Sequence, residues 1–117
     1  EQDKVEDSFL IFCHGKRPID SKNAVKLYQK FKTECKDLRQ LGSASIEFTT
    51  VGTGRAEVFL NPGIPSYDAA PGVLVVKEAG GKVTDFKGES WGFSKDNLVA
   101  TNGYVHDKIV EKTKNLL

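Results

Sequence analysis

Apolar and polar positions along this chain fall into short blocks, and the period inside each block predicts an element. Residues 8–13, SFLIFC, form a continuous apolar and aromatic run closed by HGKRP, the pattern of a short buried strand. Ala24, Leu27, Tyr28, Phe31 and Cys35 then recur at helical spacing, with Lys22, Lys26, Lys30 and Lys32 on other faces and Ser21 in place to cap. A short strand is expected around Leu38–Leu41. The following stretch fits two periods: Ile46, Phe48 and Thr50 alternate like a strand, while Ala44, Phe48 and Val51 share a helical face. Gly42 and Ser43 as turn and N-cap, with the glycines of GTG at 52–54 as a stop, decide for a helix.

Residues 56–61, AEVFLN, alternate and end at Pro62 and Gly63, a strand feeding a turn. Residues 67–81, YDAAPGVLVVKEAGG, predict a helix with Pro71 in its first turn and Gly80 and Gly81 at its close. Its apolar residues lie almost all round, so burial is expected. KVTDF (82–86) reads as a strand, 87–97 as a loop, LVATNG (98–103) as a strand and turn, and 105–117 as a terminal helix with Val105, Ile109, Lys112 and Leu116 on one face. The charged opening EQDKVED reads as a frayed lead-in. Strands interleaved with helices, without repeats or low-complexity linkers, specify an α/β layered domain spanning 1–117.

Composition narrows the class. A chain of 117 residues, 38% hydrophobic and 28% charged, is the size and make-up of one soluble globular domain. Its formal net charge is +1, with basic and acidic residues intermixed, so no electrostatic footprint for nucleic acid exists. No signal-peptide pattern or membrane-length apolar run is present, and Cys13 and Cys35 read as two buried, reduced thiols, so a cytoplasmic protein is expected. There is no methionine and the first residue is Glu1, which leads us to expect an excised domain or processed piece.

Asp68 is the residue that most needs explaining, standing at the head of an apolar helix after the IPSY turn. By spacing alone it is either an N-cap, worth about 1 kcal/mol, or a ligand for a hard cation, which needs several oxygens. No second carboxylate accompanies it nearby in sequence.

Two motifs add to this. YDAAPGVLVVKEAGGKVTDFKG resembles the Trp-Asp-x-Ala-Ala-Gly helix start, Glu-Ala-Gly-Gly helix end and Val-Thr-Asp-Phe strand of the inositol monophosphatase family, and RQLGSAS resembles its Arg-x-x-Gly-Ser-Ala-Ala. The likeness is close over residues 38–110 and looser over the preceding strand and helix. It implies the C-terminal half of a Mg²⁺-dependent sugar-phosphate phosphatase, an α/β/α domain with a mixed sheet of about five strands. Asp68 would be its metal-ligating aspartate. Gly42, Ser43 and Ala44 match the stretch whose backbone lies against the substrate's ring, where small residues allow close approach.

The chain departs from the family at Tyr67 for tryptophan, at Pro71 for alanine, and at Asn61, seven positions before Asp68, where inositol monophosphatases often carry a substrate-binding glutamate. Asn61 still offers hydrogen bonds to hydroxyls. Inositol monophosphate, fructose 1,6-bisphosphate, histidinol phosphate and phosphoadenosine phosphate all remain open as substrates, with a broad inositol monophosphatase or fructose bisphosphatase type expected. The family's other metal motifs, a Glu-containing segment and Asp-Pro-Ile/Leu-Asp-Gly-Thr, do not occur here, so no catalytic residue is expected within these residues. The remaining ligands are expected from an N-terminal half of the same enzyme, and a homodimer from the full-length protein. The implied chemistry is in-line attack of a metal-activated water on phosphorus. The rival reading is a non-catalytic module that keeps the fold and binds a phosphorylated ligand or another chain.

Other side chains carry weaker signals. Cys13 and His14, as strand neighbours, are expected on opposite faces and so not as a catalytic pair. His106 is expected at the surface, Lys16 and Arg17 as solvated loop charges, the alternative being that one of them meets a phosphate, and Asp85 and Glu78 as structural. Trp91 and Phe93 are expected to fold back on the domain.

Overall fold

The fold, a computed structural model, describes residues 2–41 and 44–116. After a 3₁₀ turn at Val5–Asp7 come β1 (Phe9–Phe12), α1 (Pro18–Phe31), β2 (Asp37–Gln40), α2 (Ala44–Gly52) and β3 (Val58–Pro62). They are followed by α3 (Ser66–Glu78), β4 (Lys82–Thr84), β5 (Asn97–Thr101) and α4 (His106–Thr113). The strands form one mixed sheet in the order β2-β1-β3-β5-β4, with β1 parallel to β2 and β3, and β5 antiparallel to β3 and β4.

Strand alternation divides the core between two faces. Leu10 and Phe12 of β1, Val58 and Leu60 of β3 and Val99 of β5 meet Ala24, Leu27 and Phe31 of α1 and Ile109 of α4. Ile11, Phe59, Leu98 and Ala100 point the other way, onto Phe48 and Val51 of α2 and Ala69, Val73 and Val76 of α3. The result is the expected α/β/α sandwich. No helix among the described residues is long and apolar enough to cross a membrane.

Several boundaries differ from the sequence reading. Helix α1 starts at Pro18, not after Ser21, because Pro18 suits the first helical position and Asp20 closes a capping box on the Arg17 N–H. It ends at Phe31, leaving Cys35 beyond it. Helix α3 starts at Ser66, which puts Pro71 beyond the first turn rather than in it. Pro71 lies on the exposed side, where water can serve the carbonyl its missing N–H leaves free. The same side leaves Tyr67, Leu74 and Val75 exposed, so α3 is not buried all round: only the stripe of Ala69, Val73 and Val76 meets the sheet.

Topology determines where a site can form. From β1 the chain passes through α1 to the β2 edge on one face, whereas from β3 it passes through α3 towards β4 on the other. Between the carboxyl ends of β1 and β3 the connections part in opposite directions, the crevice in which open α/β sheets bind ligands.

Candidate functional site

That crevice holds a cleft of about 770 Å³ lined by Cys13, His14, Gly15, Lys16, Arg17, Asp20, Asn61, Gly63, Ile64, Pro65, Tyr67, Asp68 and Asp96. Three loops frame it: the one after β1, the one after β3, and the one leading into β5. They are stitched together by backbone hydrogen bonds from Gly15 N–H to the Pro62 carbonyl (2.9 Å) and from Gly63 N–H to the Asp96 carbonyl (2.6 Å).

Asp68 is the third residue of α3 and is exposed to the cleft. The N-cap reading of Asp68 fails, since Pro65 occupies the cap position and no side chain caps the helix. Among the described residues nothing hydrogen-bonds or ion-pairs with its carboxylate, which therefore stands free at the positive end of a helix.

Asn61 lines the same cleft from the central strand. The residue is 2% exposed and, among the described residues, its Oδ1 finds no hydrogen-bond partner. A buried acceptor left unpaired costs about 1–3 kcal/mol, a cost that a donor arriving in the cleft would remove. Ala44 begins α2, whereas Gly42 and Ser43 lie outside the described residues.

The basic rim differs from expectation. Arg17 is not a free loop charge: Nε and Nη2 donate to Asp20 at 3.0 and 2.7 Å, and Nη2 also to Asp96 at 3.0 Å. Donation from Arg17 holds the Asp20 carboxyl below the usual carboxylate range. Lys16 is exposed and has no ion-pair partner among the described residues. Cys13 and His14 lie past the end of β1 and both line the cleft, so strand alternation does not separate them. They are nonetheless no catalytic pair, because His14 Nδ1 meets the Gly15 carbonyl at 2.7 Å and the Cys13 thiol turns to the His14 carbonyl. Burial and the neighbouring Glu47 raise the Cys13 pKa, leaving a thiol and not a nucleophilic thiolate. Both cysteines are free and half-buried.

Two residues escaped the sequence reading. Glu47 in α2 is fully buried, with Oε1 unpartnered, Oε2 accepting from Leu41 N–H at 3.4 Å, and its pKa raised by burial to about 7. Asp20 is 1% exposed beneath the cleft. A charged residue on the buried face of α2, and an acidic residue just after Pro18, were signals open to sequence inspection.

The other candidates are structural. His106 is buried and not at the surface, held between Thr84 Oγ1 (2.7 Å) and Thr101 Oγ1 (2.9 Å) on the opposite side of the sheet from Asn61. Asp85 caps its own loop through Lys87 and Glu89 N–H groups, both at 2.9 Å, and pairs with Lys95. Trp91 folds back on the α2/α3 core as expected, whereas Phe93 stays exposed.

As a cation site the cleft fits in kind but not in number. Asp68 and Asn61 offer oxygen, the donor a hard cation takes. Among the described residues no group of three or more His, Cys, Asp or Glu could enclose one.

Comparison with known proteins places these features in a family. The model of the inositol monophosphatase family matches residues 1–117. The fructose-1,6-bisphosphatase/inositol-1-monophosphatase of Thermotoga maritima is 41% identical over 87 residues, 74% of this chain and 34% of that protein. The Nus factor SuhB of Salmonella typhimurium is 40% identical over 78 residues, 67% of this chain and 29% of that protein. The solved structure of a Thermotoga maritima inositol monophosphatase superposes with a TM-score of 0.89 at 29% identity, covering 99% of this chain and 44% of that one. The chain thus spans about a third of the length of these curated relatives.

Proposed function

The chain belongs to the inositol monophosphatase family, and from that premise we propose that it is the C-terminal half of a Mg²⁺-dependent phosphatase acting on a small sugar or inositol phosphate. The observation that carries this reading is the pairing in one cleft of a free carboxylate, Asp68, with a buried, unpartnered acceptor, Asn61 Oδ1.

In this reading Asp68 holds one Mg²⁺, which would supply Lewis-acid charge to a phosphoryl oxygen. Asn61 accepts a hydrogen bond from a substrate hydroxyl, relieving its orphaned oxygen. Its amide is uncharged, which favours a broad inositol monophosphatase or fructose bisphosphatase type over strict inositol phosphate specificity. Gly42, Ser43 and Ala44 would serve the alcohol side of the substrate, as the family motif implies, and the exposed Lys16 would meet phosphate at the rim. The remaining metal ligands come from an N-terminal half, the whole protein working as a cytoplasmic homodimer.

The test is Mg²⁺-dependent release of inorganic phosphate from inositol monophosphate and from fructose 1,6-bisphosphate. It is run on this chain alone and on the longer polypeptide that joins it to an N-terminal half. Activity is expected only from the longer polypeptide. Turnover by the chain alone would mean that the metal ligands are assigned to the wrong residues.

A second reading has its own support, because relatives from Salmonella typhimurium, Pasteurella multocida and Escherichia coli bear the name Nus factor. In that reading the fold serves as an interaction module, and the longer polypeptide would show no phosphatase activity.

A further inference from the structure

Asp20 has a local job as the capping residue at the start of α1, accepting the Arg17 N–H at 3.1 Å. A cap alone does not explain its surroundings. The N3 acceptor of a capping box ordinarily sits at the surface, and a neutral glutamine would serve there without burying a charge. Asp20 is instead 1% exposed, because two glycines from separate loops close over it. A Cβ on Gly15 would overlap the Asp20 carboxylate and the Gly63 carbonyl, and a Cβ on Gly63 would overlap the carboxylate from the other side. Gly63 also has φ +89°, a conformation that glycine adopts without strain.

The two glycines belong to the two halves of the cleft. Gly15 sits between His14 and Lys16 on the basic rim, while Gly63 lies between Asn61 and Asp68 on the ligand-bearing side. Arg17 extends the contact to the third loop through Asp96, whose own carbonyl accepts the Gly63 N–H. One buried carboxylate therefore touches or is one residue removed from all three loops that frame the crevice.

We propose that Asp20 is a positioning residue for this cleft: with Arg17, it fixes the His14–Arg17 loop against the Asn61–Asp68 segment, and so sets the spacing between the cationic rim and the Asp68 carboxylate. This rests on the reading of Asp68 as a metal ligand only in what the spacing is for. The clamp itself stands on the geometry.

Two readouts on the ¹⁵N-labelled chain separate those levels. In Asp20→Asn, amide hydrogen exchange at Gly15 and Gly63 is expected to accelerate severalfold while the amides of β3 and β5 keep their protection. Acceleration confined to the first turn of α1, with Gly15 and Gly63 unchanged, would reduce Asp20 to a helix cap and overturn the proposal. The second readout is paramagnetic broadening by Mn²⁺ alone. In the unmodified chain it is expected at Tyr67 and Asp68 and, across the cleft, at Gly15 and Lys16. In Asp20→Asn the broadening at Asp68 should persist while that at Gly15 and Lys16 drops severalfold. Equal broadening at Lys16 in both proteins would overturn the positioning role. No broadening at Asp68 in either would show that this chain alone does not hold the ion, and hydrogen exchange would then decide the clamp. Should Asp20→Asn fail to fold, Arg17→Gln, which leaves the cap bond intact, is expected to give the same loosening at Gly63.

Discussion

Gly72 of α3 lies directly against the ring of Phe48 in α2, with no room for a Cβ between them. Phe48 in turn meets Phe59 of the central strand edge to face, ring centroids 4.9 Å apart. This contact lets α3 approach α2 and brings Asp68, one turn earlier, to the mouth of the crevice. Gly72→Ala must therefore push the ring or the helix aside. Ordinarily alanine would favour the helix by roughly 1 kcal/mol. Here overpacking of about 1–3 kcal/mol opposes it, and a net loss of stability is expected in urea unfolding. A more stable Gly72→Ala protein would show that the two helices have slack between them.

His106 gives the domain a pH limit on the acid side. Burial between Thr84 and Thr101 lowers its pKa from 6.5 to about 4. As pH falls through that window the unfolded chain takes up a proton that the folded chain refuses, so stability is lost progressively, on the order of 3 kcal/mol by its lower end. Because Glu47 titrates in the opposite sense over the same range, the His106 contribution is read as a difference. In denaturation midpoints measured from pH 7 to 4, the stability gap between the unmodified chain and His106→Gln should narrow towards pH 4, even if the substitution is itself costly. A slope equal in the two proteins would assign acid sensitivity to other groups.

How much of this was legible beforehand follows from what each residue depends on. The apolar run at Leu10–Phe12 and the glycine-bounded segment around Phe48 are specified by their neighbours in sequence, and both elements were readable. Asp68 stood out through its motif, and the structure adds that it opens onto the cleft from the head of α3. His106 was not readable, because its partners Thr84 and Thr101 come from two other strands and nothing within its own turn reports them. Helix α3 was read as buried because periodicity counts apolar residues and not the neighbours available to cover them; Tyr67 and Leu74 face outward. The same limit hid the pressure of Gly63 on Asp20 and the missing partner of Asn61.

Glu47 acts on stability in the opposite sense to His106. Its ordinary pKa of 4.5 is raised by burial to about 7. Above pH 4.5 the unfolded chain ionises this carboxyl while the folded chain keeps it protonated, so stability falls as pH rises to about 7 and then levels off. Glu47→Gln keeps an acceptor for Leu41 N–H and removes the titration. It is expected to be the more stable protein at pH 8, by roughly 1–3 kcal/mol, and indistinguishable at pH 4. Thermal unfolding at the two pH values checks this. A loss of stability at pH 8 would mean that the ionised carboxylate has partners worth more than its burial costs.

Asn61 offers the sharpest contrast between stability and function. An acceptor buried without a partner burdens the fold, and replacing the amide by a side chain of similar volume without polar atoms removes that burden. Asn61→Leu should therefore be neutral or stabilising by up to about 1 kcal/mol. In the phosphatase reading the same change removes the hydrogen bond to a substrate hydroxyl, so KM should rise for the longer polypeptide while kcat changes less. Urea unfolding and steady-state kinetics on one variant thus test two claims. A stability loss above about 2 kcal/mol would identify Asn61 as a structural residue whose amide the fold needs, and the cleft would lose the polar group on which its substrate reading stands.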